Sequence, residues 1–384
     1  MHALFIVALA TFFVFWIKFL ISEAKIHKSM GKTSSHIAPG LPEPFEVLQK
    51  DYRVLEETKE NSNRIRAITW NIERGYKLDQ IIAELKKIDA DIIILQELDI
   101  MCKRTDNLDV PNEIGKALKL NMAFVPEFHE FESPIRPSSN QGGGVHGNAI
   151  LTKFDFLKVE AIIHKQQINW RLDGLRFCGE PRKGGRVTLV AEIATPTGVI
   201  VTYSSHLEPF VTCTDRFENV KEILQSCFEY CQKAKGTSSS SSSASSIDSL
   251  NSQTIRGFLI GGDFNTMLSG IGRLNFYLPW NSSKNILGRI HHPFQTEAQC
   301  LAHRVSKELK ELSKKGASDT LLSLTDPFDK SGKTEWTLSN YQGKFQHKLD
   351  FLFYSASSFA LREKNIGTGN ESDHQWISVD LEAK

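Results

Sequence analysis

The chain has 384 residues, 40% of them hydrophobic and 24% charged, and its 46 Lys+Arg against 45 Asp+Glu leave a formal net charge of +1. That length supports one large domain or two with a sizeable core, and the composition is that of a globular protein rather than a disordered one. The near-cancelled charge excludes the global basic field of a dedicated nucleic-acid binder, so a polyanion would have to be held by a local patch.

Ala3 to Ile21 is almost entirely apolar, with Lys18 near its far end, and is long enough for one bilayer crossing. A cleaved secretory signal is the alternative, because Ser22-Glu23-Ala24 places small residues at cleavage-type positions although no Lys or Arg precedes the apolar run. A soluble core helix is the third reading. Only the α-amino group and His2 precede the segment, whereas Lys25, Lys28 and Lys32 follow it. For an uncleaved single-pass anchor the positive-inside rule therefore places the remainder in the cytosol. Of the two glycosylation acceptor patterns, Asn281-Ser282-Ser283 and Asn370-Glu371-Ser372, the second abuts Asp373-His374. A glycan there would crowd those residues, which argues the same way; the secretory pathway is the competing location. Residues 1–22 thus read as anchor or signal, 23–62 as a polar stalk and 63–384 as the folded domain.

The domain opens on the alternating strand Arg64 to Asn71, which ends on an amide and then Glu73. Leu78, Ile81, Ile82, Leu85 and Ile88 repeat at helical spacing, and Ile92 to Leu95 forms a fully apolar strand running into Gln96-Glu97. Residues 127–147 read as a long exposed loop that closes on three glycines, with Asn148 leading into the strand Ala149 to Leu151. Two strands follow near 186–194 and 199–205, the second delivering His206. Thr214 can cap a helix whose Phe217, Val220, Leu224, Cys227, Phe228 and Cys231 form one stripe. The serine run within 237–252 can bury nothing and reads as a disordered surface loop. After it, Phe258-Leu259-Ile260 is a buried strand, Gly261-Gly262 a tight turn, and Asp263 and Asn265 two polar groups aimed the same way. Residues 267–320 read as an insertion with a helix through Leu301, Val305, Leu309 and Leu312. The strand Lys348 to Tyr354 carries Asp350 near its start, and Ser372-Asp373-His374 precedes the last strand, Trp376 to Leu381. The six cysteines have no CxxC spacing and give neither a zinc site nor a disulfide framework.

A strand, a helix and a second buried strand indicate a layered α/β domain, in which strand ends gather along one edge. Asn71, Glu97, His206, Asp263, Asn265, Asp350, Asp373 and His374 all fall at or near strand ends. One such residue alone is more often a capped turn or a satisfied core polar group, but eight in this order have no simple structural explanation.

The set WNIE, LQE, SHLEP, GGDFN, LDF and SDH resembles the endonuclease/exonuclease/phosphatase superfamily, which includes deoxyribonuclease I, abasic-site endonucleases, neutral sphingomyelinases and inositol-polyphosphate phosphatases. The resemblance covers roughly Arg64 to Glu382. It implies an α/β fold, a four-layer αββα sandwich of two packed mixed β-sheets flanked by helices, and hydrolysis of phosphoesters with Mg²⁺, for which Mn²⁺ can substitute. By position it makes Glu97 the metal ligand with Asn71 and Asp373 beside it. Asp263 becomes the acid that orients or activates water, and Asn265 the amide on the phosphate. His374 faces the scissile phosphate with Asp350 as its partner, and His206 stands where relatives have histidine or tyrosine. Glu73 stands where several members have aspartate, and Asn148 is matched to a further phosphate-side amide.

The residue chemistry agrees. Phosphodiester cleavage needs charge neutralised at the non-bridging oxygens, a positioned water and a proton source for the leaving oxygen. Carboxylate and amide oxygens suit magnesium, and two histidines are available for the phosphate and the protons. Arg182, Lys183 and Arg186 are either a local phosphate patch or a solvated basic strand edge. The substrate reading favours a phospholipid or lipid-linked phosphodiester, because the amino-terminal segment would hold the site near lipid. A membrane-held or secreted nuclease is the alternative, and a non-catalytic membrane-anchored module the second. No obligate protein partner is implied.

Overall fold

The computed structural model describes residues 37–54, 63–174, 179–238, 254–267, 296–316, 321–330, 335–340 and 345–384. The apolar segment at 3–21, most of the serine run and residues 268–295 of the expected insertion lie outside these. Among the described residues no helix is long and apolar enough to cross a membrane.

In chain order come β1 (Leu48–Asp51), β2 (Arg64–Arg74), helix α1 (Leu78–Ile88), β3 (Ile92–Ile100), α2 (Val110–Leu118), β4 (Asn121–Glu130) and β5 (Val145–Thr152). Next are β6 (Asp155–Ile163), β7 (Arg182–Gly184), β8 (Val187–Thr195), β9 (Gly198–His206), α3 (Cys213–Ser238), β10 (Ile255–Asp263) and α4 (Glu297–Lys314). The chain closes with β11 (Leu324–Thr325), the pair β12 (Leu338–Asn340) and β13 (Phe345–His347), then β14 (Asp350–Ser355), β15 (Phe359–Ile366) and β16 (Ile377–Ala383).

Two mixed sheets result. The first runs β1-β4-β5-β3-β2-β16-β15, with β7 added to β4; the second runs β11-β14-β10-β9-β8-β6. Side-chain alternation along each strand sets the layers. In β2, Ile65 and Ala67 face the other sheet, where they meet Leu189, Ala191, Leu259 and Leu352. Ile68, Trp70 and Ile72 face outward onto Ile81 and Leu85 of α1 and Ile114 of α2. On the second sheet Phe258 and Ile260 cover the stripe of α3 and Leu301 and Val305 of α4. Helix, sheet, sheet, helix is the expected four-layer sandwich. Each fully buried Leu, Ile or Phe in these layers contributes about 1.5–3 kcal/mol relative to an exposed one.

Four expectations need correction. Glu127, Phe128, His129 and Glu130 are not loop but the buried end of β4, and β5 begins at Val145 rather than Ala149. Their charges find remote arginines, which alternation cannot reveal. Within the segment read as stalk, Leu48–Asp51 pairs antiparallel with β4, so this stretch belongs to the domain. The hydroxyl that accepts from the first turn of α3 belongs to Thr212, bonded by the Asp215 amide at 3.2 Å, not to Thr214. Thr237 and Ser238 close α3 rather than opening a surface loop.

Candidate active site

Three chain segments reach the seam between the sheets through local backbone adjustments. The register of β2 against β3 shifts between Asn71 and Arg74, and that of β3 against β5 between Leu95 and Leu98. At these bulges Glu73, Arg74 and Glu97 take positive φ of 46°, 65° and 59°, unfavourable values for residues with a Cβ. The bulges turn Glu97 out of the ladder toward the second sheet. Across the seam, Gly262 has φ 149°, and a Cβ there would lie 1.8 Å from the Ser205 carbonyl oxygen. Glycine is required at that point to bring Asp263 level with His206 on β9 and Asp350 on β14, its two register partners.

Asp263 is the hub. Its Oδ1 accepts from the Asn265 amide at 2.8 Å. Its Oδ2 accepts from Asn71 Nδ2 at 3.2 Å and lies 3.5 Å from His206 Nε2 and 3.7 Å from His374 Nε2. His374 is oriented from behind by Asp350, with Nδ1 and Oδ2 2.8 Å apart. The SDH segment is tied to WNIE: Trp70 Nε1 donates to the His374 carbonyl at 2.9 Å, and Ser372 Oγ donates to the Asn71 carbonyl at 2.7 Å. Asn71 Nδ2 also reaches Glu97 Oε1 at 3.3 Å, while Asn71 Oδ1 accepts from the Glu73 amide.

The environment drives the two histidines apart. Burial alone would lower the pKa of His374, but the Asp350 and Asp263 carboxylates outweigh it and hold the ring protonated well above the usual histidine range. Burial lowers that of His206, and the charges of Arg186, His146 and His374 lower it further, so this ring is neutral. Burial and the Asp350 charge push Asp263 up to about 7 against the pull of His374. A charged histidine, a neutral histidine and a carboxylate poised near neutrality thus share one buried site.

Glu97 is kept ionised. Burial opposes this, and the charges of His146, Arg74 and His374 overcome it. Burial raises the Glu73 pKa, as do the neighbouring Asp373 and Glu97 carboxylates, and Glu73 accepts from the Asp373 backbone amide. Asp373 itself is exposed at the mouth of the site. Glu73 thus feels the charges of both Asp373 and Glu97, and an all-oxygen donor set of this kind suits a hard divalent cation.

The remaining expected residues are placed less simply. Asn265 spends its Nδ2 on the Leu207 carbonyl at 2.8 Å. Asn148 is buried, donates to the Val187 carbonyl at 3.2 Å and leaves its Oδ1 without a partner. The free atom is an acceptor, which suits a proton donor or cation rather than a phosphate oxygen. Arg182 and Arg186 are neither a phosphate patch nor a solvated edge. Both are buried, their guanidinium groups packed over the Phe128 and Trp170 rings. Arg182 pairs with Glu130 at 2.8 Å and with Glu180, and Arg186 pairs with Glu127 at 2.8 Å. Lys183 is exposed and pairs with Glu43.

Two residues at the site were not anticipated. Arg74 approaches Glu97 at 4.0 Å and binds Glu180 at 3.1 Å and Asn140 at 2.8 Å. His146 lies with Glu97 and His206 in one cluster whose ligand-type atoms are all within 4.8 Å of one another. Spacing could have found His146, because it precedes Asn148 by two residues on one strand and so shares its face.

Acid and histidine side chains converging at the seam of an αββα sandwich define a phosphoester hydrolase of the metal-dependent class. Residues 68–374 match the model of the endonuclease/exonuclease/phosphatase family, and the chain belongs to that family. Among solved structures it is similar to an endonuclease/exonuclease/phosphatase from Beutenbergia cavernae, at 14% identity and TM-score 0.50, covering 83% of this chain and 72% of that one. A Bacteroides vulgatus protein of the same description gives 13% identity and TM-score 0.47, covering 84% of this chain and 99% of that one. The human nocturnin catalytic domain with bound sulfate gives 14% and 0.46, covering 88% of this chain and 98% of that one. At such identities the likeness concerns the fold alone. No curated protein sequence matches the chain.

Proposed function

We propose that the chain hydrolyses a phosphodiester by attack of an activated water, with Mg²⁺ as its cation. The observation that carries this is the grouping of Asn71, His206 and His374 around one Asp263 carboxylate oxygen, within 3.2–3.7 Å. Glu97, with Glu73 and Asp373, would hold the cation, which supplies charge neutralisation at the phosphate oxygens. His374, kept charged by Asp350, pairs with a non-bridging oxygen. Asp263 accepts the proton of the attacking water. His206 is neutral in the free site; the negative charge that a phosphate brings raises its proton affinity, so the ring takes up a proton from solvent as substrate binds and then donates it to the leaving oxygen. All eight strand-end residues are present, which argues against a non-catalytic module.

A lipid-linked phosphodiester is the substrate class we favour. The Ala3 to Ile21 segment would hold the enzyme at a bilayer, with its catalytic domain on the cytosolic side by the charge rule. Ile135 and Leu172 are exposed on the segments that Arg74 ties to the site through Asn140 and Glu180. Arg182 and Arg186, neutralised by Glu127, Glu130 and Glu180, offer no basic track for a nucleic-acid backbone. The test is a hydrolysis screen of the full chain with Mg²⁺ or Mn²⁺ across sphingomyelin, phosphoinositides, single- and double-stranded nucleic acids and a generic diester. Preferred turnover of a lipid diester supports the reading. Preferred turnover of nucleic acid replaces it with the nuclease, and failure on every substrate overturns it.

A further inference from the structure

Beside the oxygen-rich group lies a second set of ligands with different chemistry. His146 Nδ1 is 2.8 Å from Asp99 Oδ1, and that carboxylate is clamped by Arg104 at 2.6 and 2.8 Å. The Asp99 and Arg104 side chains have no exposed surface. An ionised carboxylate can only accept, so Nδ1 donates to Asp99 and Nε2 is the ring nitrogen left over for a ligand. The His146 ring is itself buried. On the facing sheet, His206 Nε2 lies 3.9 Å from Glu97 Oε1, and its Nδ1, buried, makes no hydrogen bond.

We propose that Glu97, His146 and His206 form a seat for a divalent transition ion of imidazole-binding character, zinc above all, distinct from the oxygen seat of Glu97, Glu73 and Asp373. Two imidazole nitrogens and one carboxylate oxygen are a zinc donor set, with a further position open to water. The ligand atoms, within 4.8 Å of one another, must close by roughly 1 Å to meet an ion at about 2.0–2.2 Å, which rotation of three side chains can supply. A carboxylate behind a ligating histidine fixes its ring and raises its basicity, and Asp99 stands in that position behind His146.

Occupancy would take two residues that hydrolysis uses, so zinc should compete with magnesium-dependent turnover; this part alone rests on the roles given above to Glu97 and His206.

The test is a cobalt titration of the metal-stripped full chain in excess Mg²⁺, read by visible absorption. The proposal expects an intense four- or five-coordinate cobalt band, discharged by one equivalent of zinc. His146→Asn should abolish the band, and Asp99→Asn should weaken cobalt binding about 10–100-fold. A wild-type spectrum of six-coordinate cobalt only, or a band that survives in a folded His146→Asn protein, overturns the site. Should His146→Asn fail to fold, zinc-edge anomalous scattering from wild-type crystals decides. A peak between His146 and His206 supports the site, and a peak only among Glu73, Glu97 and Asp373 overturns it. Hydrolysis with Mg²⁺ alone is assayed on the same preparation. Loss of hydrolysis with the band intact counts against the proposed function, and the converse against the zinc seat.

Discussion

Asn71, at the start of the β2 bulge in the first sheet, donates to Asp263, at the end of β10 in the second, across 3.2 Å. The same amide nitrogen reaches Glu97 Oε1 at 3.3 Å. One side chain therefore fixes the distance between the residue expected to hold the cation and the residue expected to take the water's proton. The site forms where the two sheets meet, and neither sheet carries it alone.

Glu97→Gln should lower turnover by about 10³-fold while the protein stays folded. The carboxylate is turned out of the β3 ladder, and the isosteric amide can still meet Asn71. Steady-state kinetics at saturating Mg²⁺, beside a thermal melt, check this; retention of most of the activity contradicts the role.

The Asp350–His374 pair makes a pH prediction. The histidine is held protonated above its usual range, so the charge is present at neutral pH and is lost only as pH rises through the elevated value. Asp350→Asn removes one carboxylate and its hydrogen bond, leaving Asp263 and Asp373 to oppose burial, so the ring should lose its proton at a lower pH than in the wild type. Nitrogen-15 NMR of the metal-free protein reads both titrations directly. Identical titrations in the two proteins would remove Asp350 as the cause.

His206→Ala should depend on the leaving group. With a nitrophenyl ester, whose leaving oxygen needs no proton, the loss should be small; with an alkyl ester it should reach about 10²–10⁴-fold. Equal losses on both contradict the proton-donor role.

Arg104→Met should destabilise the fold by about 3–5 kcal/mol, because it leaves Asp99 buried without its arginine and removes one of the three arginines around Glu130. The wild-type network also sets the acid limit. Burial would raise these carboxylates, but Arg104 and Arg182 hold Glu130 well below its ordinary value, and Arg182 and Arg74 hold Glu180 down to about 2. Depressed carboxylates contribute stability above their unfolded pKa, near 4.3 for glutamate, and lose it as pH falls through the folded value. Calorimetry should find a melting temperature little affected by these groups above about pH 5 and falling between about pH 4 and pH 2. A melting temperature flat through that window would contradict the assignment.

Much of this was legible in the chain. The strands that carry Asn71, Glu97, His206 and Asp263 announce themselves by apolar runs that give way to a polar residue, a local pattern. Glu127 to Glu130 was not legible for the opposite reason. Two acids and a histidine among four residues read as loop, and only Arg104, Arg136, Arg182 and Arg186, brought from other elements, make them strand. The same pairings hid the true state of Arg182 and Arg186, since a basic cluster in sequence does not reveal acids folded beneath it. Glu73 and Arg74 needed a bulge whose positive φ values no residue type there announces.

The most direct measurement is hydrolysis of the preferred phosphodiester in ¹⁸O-labelled water with Mg²⁺, comparing the wild-type full chain with Asp263→Asn. The account predicts one labelled oxygen in the phosphate-bearing product, none in the alcohol, dependence on added Mg²⁺, and loss of the reaction in Asp263→Asn. Label in the alcohol, or undiminished turnover by Asp263→Asn, would contradict it.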